Sequence, residues 1–260
     1  MFEKELEKMI QAAKAASAEI MKIYSNGFSV KTKDDESPVT DADIVSDKII
    51  REHLSVFDDI AWLSEEDADD LSRLTRRKLF IVDPLDGTSD FVNKDGSFGI
   101  NIALVVDHRP VCSVVAVPAM NTYAYAMKGK GSYYVDENGR EERMHVSSLT
   151  ENLRVLVSKT HRTKEDDELF KRHASSIKEL IPMGASTKAI YLSRGLADAC
   201  IRITDKTKEW DVCAPELIVT EAGGVFVDLN RKEFVYNRED VHNHDGYCML
   251  NRKENEFLLS

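Results

Sequence analysis

The chain has 260 residues, 42% of them hydrophobic and 31% charged, enough for a sizeable core in one large domain or in two that share an interface. Its formal net charge of −11 excludes a nucleic-acid binder that relies on a broad basic surface, but not a small phosphorylated ligand, because bound cations reverse the local sign at a site. Four cysteines, Cys112, Cys200, Cys213 and Cys248, lie far apart with no Cys-x-x-Cys pair, which fits reduced thiols and neither a disulfide framework nor a zinc site.

No apolar run approaches the ~20 residues of a membrane helix, and Phe2-Glu3-Lys4-Glu5-Leu6 does not read as a signal peptide, so the expectation is a cytoplasmic protein. Residues 3–25 predict a long amphipathic helix with Leu6, Met9, Ile10, Ala13, Ala16, Ile20 and Ile23 on one face and Asn26-Gly27 as its stop. Residues 31–40 are polar and end in Ser37-Pro38-Val39-Thr40. A second helix starts near Asp41 and runs to about Phe57, with Ile44, Val45, Lys48 and Ile49 along one side. Capping accounts for Asp41 and Asp43, which meet the positive end of its dipole, and only one of them is expected to do more. Residues 59–63 predict a short strand ending in Ser64-Glu65-Glu66-Asp67. Consecutive acids usually mark a solvated loop; the alternative is that Glu65 turns inward as a metal ligand.

The β-forming run Leu79-Phe80-Ile81-Val82 then breaks at Asp83-Pro84-Leu85-Asp86-Gly87-Thr88. Pro84 fixes one φ angle and stops the ladder. Gly87 admits close backbone approach, and the amides of Gly87 and Thr88 are placed to face an anion if a short helix begins there. Two carboxylates with free amides suit a divalent metal holding a phosphate, whereas the bland reading is a turn, since Asp-Pro and Asp-Gly are common turn pairs. An aspartyl-phosphate phosphatase, with its Asp-x-Asp-Gly-Thr signature, is excluded because the nucleophile position falls on Pro84. An EF-hand is excluded because its alternating ligands and closing Glu are missing.

From 98 to 135 the pattern is an antiparallel meander: Gly99–Asp107, Pro110–Pro118, Thr122–Met127 and Gly131–Val135. Gly129-Lys130-Gly131-Ser132 lacks the upstream glycine of a Walker motif and reads as a hairpin. Composition turns polar over 140–152, which places a domain boundary there, between an N-terminal α+β part, 1–145, and a C-terminal α/β part, 146–260. The rhythm then alternates: strand Leu153–Val157, helices Lys164–Lys178 and Ser186–Arg194, strand Ala197–Ile203, helix Asp211–Ala222 and strand Val225–Asp228. Asp211 alone reads as a helix-start acid; beside three other acidic clusters it becomes a candidate ligand. Trp210 reads as packing.

Four motifs, in order, resemble the inositol monophosphatase superfamily of lithium-sensitive, magnesium-dependent phosphatases: Pro38-Val39-Thr40-Asp41-Ala42-Asp43, Leu63-Ser64-Glu65-Glu66-Asp67, Asp83-Pro84-Leu85-Asp86-Gly87-Thr88, and Trp210-Asp211 with Glu221-Ala222-Gly223-Gly224. The resemblance implies a layered αβαβα sugar-phosphatase fold, with a mixed or antiparallel N-terminal sheet and a smaller C-terminal α/β part. It implies that Glu65, Asp83 and the Leu85 carbonyl hold one Mg²⁺, that Asp83, Asp86 and Asp211 hold a second, and that a third rests on Glu65 through waters. Asp43 then accepts a hydrogen bond from Thr88, whose hydroxyl orients the attacking water, and the Gly87 and Thr88 amides bind the transferred phosphoryl group.

Within the superfamily, Ser37-Pro38-Val39-Thr40, Leu63-Ser64-Glu65-Glu66-Asp67, Val157-Ser158-Lys159-Thr160-His161, Gly184-Ala185-Ser186-Thr187-Lys188 and Trp210-Asp211-Val212-Cys213-Ala214-Pro215-Glu216 resemble the 3'(2'),5'-bisphosphate nucleotidases. That resemblance assigns Ser158, His161, Ser186, Lys188 and Asp211 to the substrate. The Glu that contacts inositol hydroxyls six residues before the tryptophan is Thr204 here, and Ala185 and Thr187 depart from the bacterial nucleotidase pattern. The expected activity is Mg²⁺-dependent removal of the 3'-phosphate of adenosine 3',5'-bisphosphate by a monomer or homodimer, with a role in sulfur metabolism. Alternatives are an inositol monophosphate or broad sugar-phosphate phosphatase, and a metal-binding scaffold without catalysis. No nucleic-acid polymer or membrane partner is expected.

Overall fold

The computed structural model describes residues 2–32 and 38–260, so Ser37, which opens one of the motifs, lies outside it. Helix α1 (Glu3–Asn26) buries Leu6, Met9, Ala12, Ala13, Ala16 and Ile20, the stripe its periodicity predicts, with Ile10 and Ile23 at the half-buried margins. Strands β1 (Val30–Thr32) and β2 (Pro38–Thr40) pair antiparallel, and β2 leads into α2 (Asp41–Leu54).

Helix α2 departs from its apolar pattern. It buries Ala42, Asp43, Ser46, Asp47, Ile50 and Leu54, whereas Ile44 is 54% exposed. The first turns of α2 cover strand-end loops that offer hydroxyls and carbonyls, so a polar stripe finds partners there. Its last buried residues, Ile50 and Leu54, reach the apolar core below.

Next come β3 (Ala61–Ser64), β4 (Lys78–Asp86), α3 (Thr88–Val92), β5 (Gly99–Val106), β6 (Arg109–Val117), β7 (Thr122–Met127), β8 (Gly131–Val135) and β9 (Glu141–Arg143). These strands form a 7-stranded sheet in chain order from β3 to β9. Only β3 and β4 run parallel in it, with Ser64 beside Val82, and the remaining neighbours are antiparallel. Pro84 does not end β4. The ladder to β5 is interrupted after the Asp83–Asn101 pair and resumes at Asp86–Gly99, a bulge that absorbs the missing amide. The 129–131 turn is the expected hairpin; the carboxylate of Glu221 accepts the amides of Gly129 and Gly131 at 2.7 and 2.8 Å.

The rest of the chain holds β10 (Leu153–Ser158), α4 (Lys164–Arg172), β11 (Ile177–Met183), α5 (Thr187–Ser193), β12 (Ala199–Arg202), α6 (Glu209–Glu221), β13 (Val225–Val227) and β14 (Tyr247–Leu250). Its 5-stranded sheet has the order β11-β10-β12-β14-β13. The helix expected over 164–178 stops at Arg172, and β11 follows as an edge strand, where Pro182 is tolerated. Strand β14 has no counterpart among the expected elements.

The buried side chains define the layers. Phe80, Val82, Ile100, Ile102 and Leu104 pack against α1 and α2. Leu79, Ile81, Ala103 and Val105, on the other face of the same strands, pack with Val212, Ile218 and Val219 of α6 and Ile190 of α5. Leu156, Cys200 and Met249 of the second sheet join that central layer from beyond it. Leu169 and Phe170 of α4, with Leu258, close the outer face. The result is the αβαβα stack the resemblance implied. All four cysteines are buried and unpaired. Among the described residues, no helix is long and apolar enough to cross a membrane.

Candidate metal and phosphate site

The parallel pairing of β3 with β4 brings two acidic strand ends together: the Glu65 amide donates to the Val82 carbonyl at 3.2 Å, one residue before Asp83. The bulge carries Asp86 onward, and the start of α6 delivers Asp211 from the far side. One oxygen from each of Asp83, Asp86 and Asp211 lies within 4.8 Å of the others. Glu65 lies outside that trio but lines the same cavity, and its charge acts on both Asp83 and Asp211.

Each carboxylate of the trio has one oxygen anchored by protein donors. Asp83 Oδ1 accepts the Leu85 amide at 3.1 Å, and Asp211 Oδ2 accepts the Lys208 amide at 2.5 Å. Asp86 Oδ2 accepts the Ser186 amide at 2.6 Å, the Ser186 hydroxyl, and the Asn101 amide group at 3.3 Å. Burial above all, then the charges of Glu65, Asp86 and Asp211, pushes the Asp83 carboxyl well above the usual carboxylate range. Burial, then Asp86 and Glu65, does the same to Asp211. Crowded, part-anchored carboxylates need a counter-charge, and an oxygen-only donor set fits a hard divalent cation.

Asp43 is more than a cap, and Asp41 is not. Asp43 Oδ2 accepts the Thr40 amide at 2.7 Å and the Thr40 hydroxyl at 2.6 Å, while Oδ1 accepts the Thr88 hydroxyl at 3.0 Å. Asp41, on the exposed side, accepts the Ser29 hydroxyl at 2.6 Å. Burial raises the proton affinity of Asp43, and the bonds from Thr40 and Thr88 oppose that rise. The Thr88 hydroxyl is also 3.2 Å from the Leu85 carbonyl. Gly87, at φ +86°, makes the turn into α3; a Cβ there would sit 3.1 Å from Ala185 and 3.3 Å from the Ser97 carbonyl.

A cavity of about 950 Å³ joins these groups. Glu65, Asp83, Leu85, Asp86, Gly87, Thr88, Ser158, His161, Ser186, Lys188 and Asp211 all line it. Asp43 stands behind Thr88. Three of the expected substrate residues, Ser186, Lys188 and Ser158, have other tasks as well. The amide and hydroxyl of Ser186 are taken up by Asp86. Lys188 is buried, its ammonium donating to the Ala185 carbonyl at 2.7 Å and reaching the Met183 carbonyl at 3.4 Å, and burial lowers its proton affinity. The Ser158 hydroxyl accepts the His161 amide at 3.0 Å.

Sequence reasoning missed several lining or supporting groups. Asn101 bridges Ser186 Oγ at 2.8 Å, the Trp210 carbonyl at 3.4 Å and Asp86; its only signal was an amide side chain inside an apolar strand. Arg202 donates to the His161 carbonyl at 3.1 Å and lies 3.7 Å from Asp166. Lys206, Lys208, His242 and His244 also line the cavity, with Asp205 among them, and the Lys206-Thr207-Lys208 cluster before Trp210 was the available clue.

The layering and the carboxylate cluster are those of a metal-dependent phosphatase. The chain belongs to the inositol monophosphatase family, whose family model matches residues 3–260. It is 30% identical over 249 residues to the 3'(2'),5'-bisphosphate nucleotidase CysQ of Aggregatibacter actinomycetemcomitans, covering 94% of this chain and 91% of that one. It is 31% identical over 246 residues to CysQ of Salmonella typhimurium, covering 93% and 98%. The crystal structure of CysQ from Bacteroides thetaiotaomicron superposes with a TM-score of 0.84 at 30% identity, over 97% of this chain and 99% of that one. The Thermotoga maritima inositol monophosphatase TM1415 reaches the same TM-score, 0.84, at 24% identity over 98% and 95% of the two chains, a likeness of fold alone.

Proposed function

We propose that the chain is a Mg²⁺-dependent phosphomonoesterase that removes the 3'-phosphate of adenosine 3',5'-bisphosphate, giving AMP and phosphate. One observation carries this reading: a single cavity is lined both by the carboxylate cluster and by Lys188, Arg202, Lys206 and Lys208, so it offers counter-charge to a second anionic group beyond the one hydrolysed. The names of the CysQ relatives support it. Thr204, where inositol-specific members carry a carboxylate, offers less to an inositol ring. The proposal includes a cytoplasmic location and a division at 145/146 into a metal-binding and a substrate-selecting domain.

Glu65, Asp83, the Leu85 carbonyl, Asp86 and Asp211 would hold two to three Mg²⁺ ions. When bound, Mg²⁺ supplies Lewis-acid polarisation of the phosphoryl oxygens and a more acidic water. The chain's own residues then act as follows. Thr88 donates its hydroxyl proton to Asp43, which turns the Thr88 oxygen lone pair toward the attacking water. That pair accepts the water's proton as the new P–O bond forms, and Asp43, whose proton affinity burial has raised, takes up the proton that Thr88 gives away. The ester P–O bond breaks and the ribose 3'-oxygen leaves, taking a proton from solvent water, while Asp43 returns the proton it received to solvent. The Gly87 and Thr88 amides hold the transferred phosphoryl oxygens. Asp86 is aimed by Ser186 and Asn101, and Lys188 and Arg202 face the 5'-phosphate, with Ser158 and His161 beside the nucleoside.

The test compares kcat/KM for adenosine 3',5'-bisphosphate, inositol 1-phosphate and fructose 1,6-bisphosphate under saturating Mg²⁺. A preference of at least ~10-fold for the nucleotide over inositol 1-phosphate is expected, about 1.4 kcal/mol of differential transition-state binding, within reach of one charge-assisted contact. A preference for inositol 1-phosphate overturns the nucleotide assignment.

A further inference from the structure

Helix α2 presents three polar side chains inward within two turns, and each meets a different loop of the site. Asp43 holds Thr88 at 3.0 Å. The Ser46 hydroxyl donates to the Pro84 carbonyl at 2.7 Å, inside the bulge between Asp83 and Asp86. Asp47 Oδ1 accepts the Ser64 hydroxyl at 2.5 Å, with both side chains buried. The next residue in the chain is Glu65. One turn further along α2, the Arg51 guanidinium lies 4.5 Å over the Trp62 ring and pairs with Asp67, and its Nε is 3.8 Å from Asp47 Oδ2. The segment carrying Glu65 is therefore tied to α2 on both sides, at Ser64 before it and at Asp67 after it.

We propose that Asp47 and Arg51 are positioning residues that set the 64–67 loop, and with it Glu65, against the Asp83–Asp86–Asp211 cluster. Neither residue lines the cavity. Asp47 acts through Ser64, and Arg51 acts through Trp62 and Asp67. A hydroxyl held by a buried carboxylate has one preferred orientation, so the backbone it belongs to is fixed at that point. The strand pairing holds the Glu65 amide at the Val82 carbonyl, and the bonds of Ser64 and Asp67 to α2 fix the loop on either side of it, so the two together set where the Glu65 carboxylate lies relative to the trio. Supporting hydrogen bonds behind metal ligands typically govern ~10–100-fold in affinity. This inference rests on the reading of the cluster as a divalent-cation site.

The test is calorimetric titration of Mg²⁺ into the full chain, paired with urea unfolding of each variant. Wild type is compared with Asp47→Ala, Asp47→Asn, Ser64→Ala and Asp47→Ala/Ser64→Ala. Asp47→Ala and Ser64→Ala should each weaken Mg²⁺ affinity by ~10-fold or more, and the double variant should be no weaker than the worse single one. Asp47→Asn keeps an acceptor for Ser64 and should stay near wild type. In turnover, the Mg²⁺ activation constant should rise by the same factor, while kcat recovers at saturating Mg²⁺. If Asp47→Ala does not fold, Ser64→Ala carries the comparison alone. Wild-type Mg²⁺ affinity in Ser64→Ala, or fully additive losses in the double variant, overturns the positioning role. Failure of the wild-type chain to bind Mg²⁺ overturns instead the cation reading on which it rests.

Discussion

Thr88→Val removes one hydroxyl from the centre of the site and keeps the shape of the side chain. Thr88 is 8% exposed and its hydroxyl has two protein acceptors, Asp43 at 3.0 Å and the Leu85 carbonyl at 3.2 Å. The variant takes a donor from Asp43 Oδ1 but leaves both Thr40 bonds on Oδ2, so the α2 cap persists. An unsatisfied buried acceptor costs about 1–3 kcal/mol, which a domain of ordinary stability survives. Loss of the proton relay should cost kcat ~10²–10⁴-fold, or about 2.7–5.4 kcal/mol at 1.36 kcal/mol per decade, with Mg²⁺ affinity unchanged. Thr88→Ser should retain most of kcat. Since Asp43 and Thr88 act as one unit, Asp43→Asn/Thr88→Val should be little worse than the more damaging single variant. Steady-state kinetics at saturating Mg²⁺, with calorimetric Mg²⁺ binding on each variant, makes the comparison. A change confined to KM would make Thr88 a binding residue, and full additivity would refute the dyad.

Three further outcomes are expected. Asp83→Asn should abolish turnover at any Mg²⁺ concentration, yet leave the ion-free protein at least as heat-stable as wild type, because it removes one of several mutually repelling buried carboxylates; thermal melts with and without Mg²⁺ decide it, and near-normal turnover would sink the assignment of Asp83 as a bridging ligand. Lys188→Ala should raise KM for adenosine 3',5'-bisphosphate and barely change a substrate lacking the 5'-phosphate; equal losses on both would make its role the bracing of the 183–186 turn through the carbonyls it already meets. Glu216, on α6 away from the cavity, accepts the Tyr236 hydroxyl at 2.5 Å and pairs with Arg109, and burial pushes its pKa from the ordinary 4.5 to about 7. The folded state therefore holds that proton more tightly, and the stability it lends is full below about 4.5 and is lost as pH rises toward about 7, so Glu216→Gln should flatten the fall in unfolding free energy across that window. An unchanged slope in denaturant titrations would refute it.

Local spacing alone made much of this protein legible. A 3.6-residue apolar period marked α1, which buries one face, and β-forming runs broken by short turns marked the meander from β5 to β8, whose β5 and β6 are buried on both faces. The acids at 65, 83, 86 and 211 could be singled out because in the sequence each follows a β-forming run or opens a helical one, although Asp83 lies within β4. Tertiary structure decided what those residues meet. Periodicity shows where an element is apolar but is silent on which polar groups face it across space. It therefore placed Ile44, Val45, Lys48 and Ile49 along one side of α2, whereas the helix turns Asp43, Ser46 and Asp47 inward toward three loops that hydrogen-bond them. The 164–178 stretch read as one helix because its composition is helical to the end, while the vacant edge of a sheet drew 177–183 into a strand. Likewise, Asn101 at Asp86, Ser186 as its anchor, and the basic side chains that line the same cavity come from separate elements that only the stacking of two sheets about α5 and α6 brings together. A hydrogen-bond partner or a counter-charge is a matter of ångströms in space, and separation along the chain does not encode it.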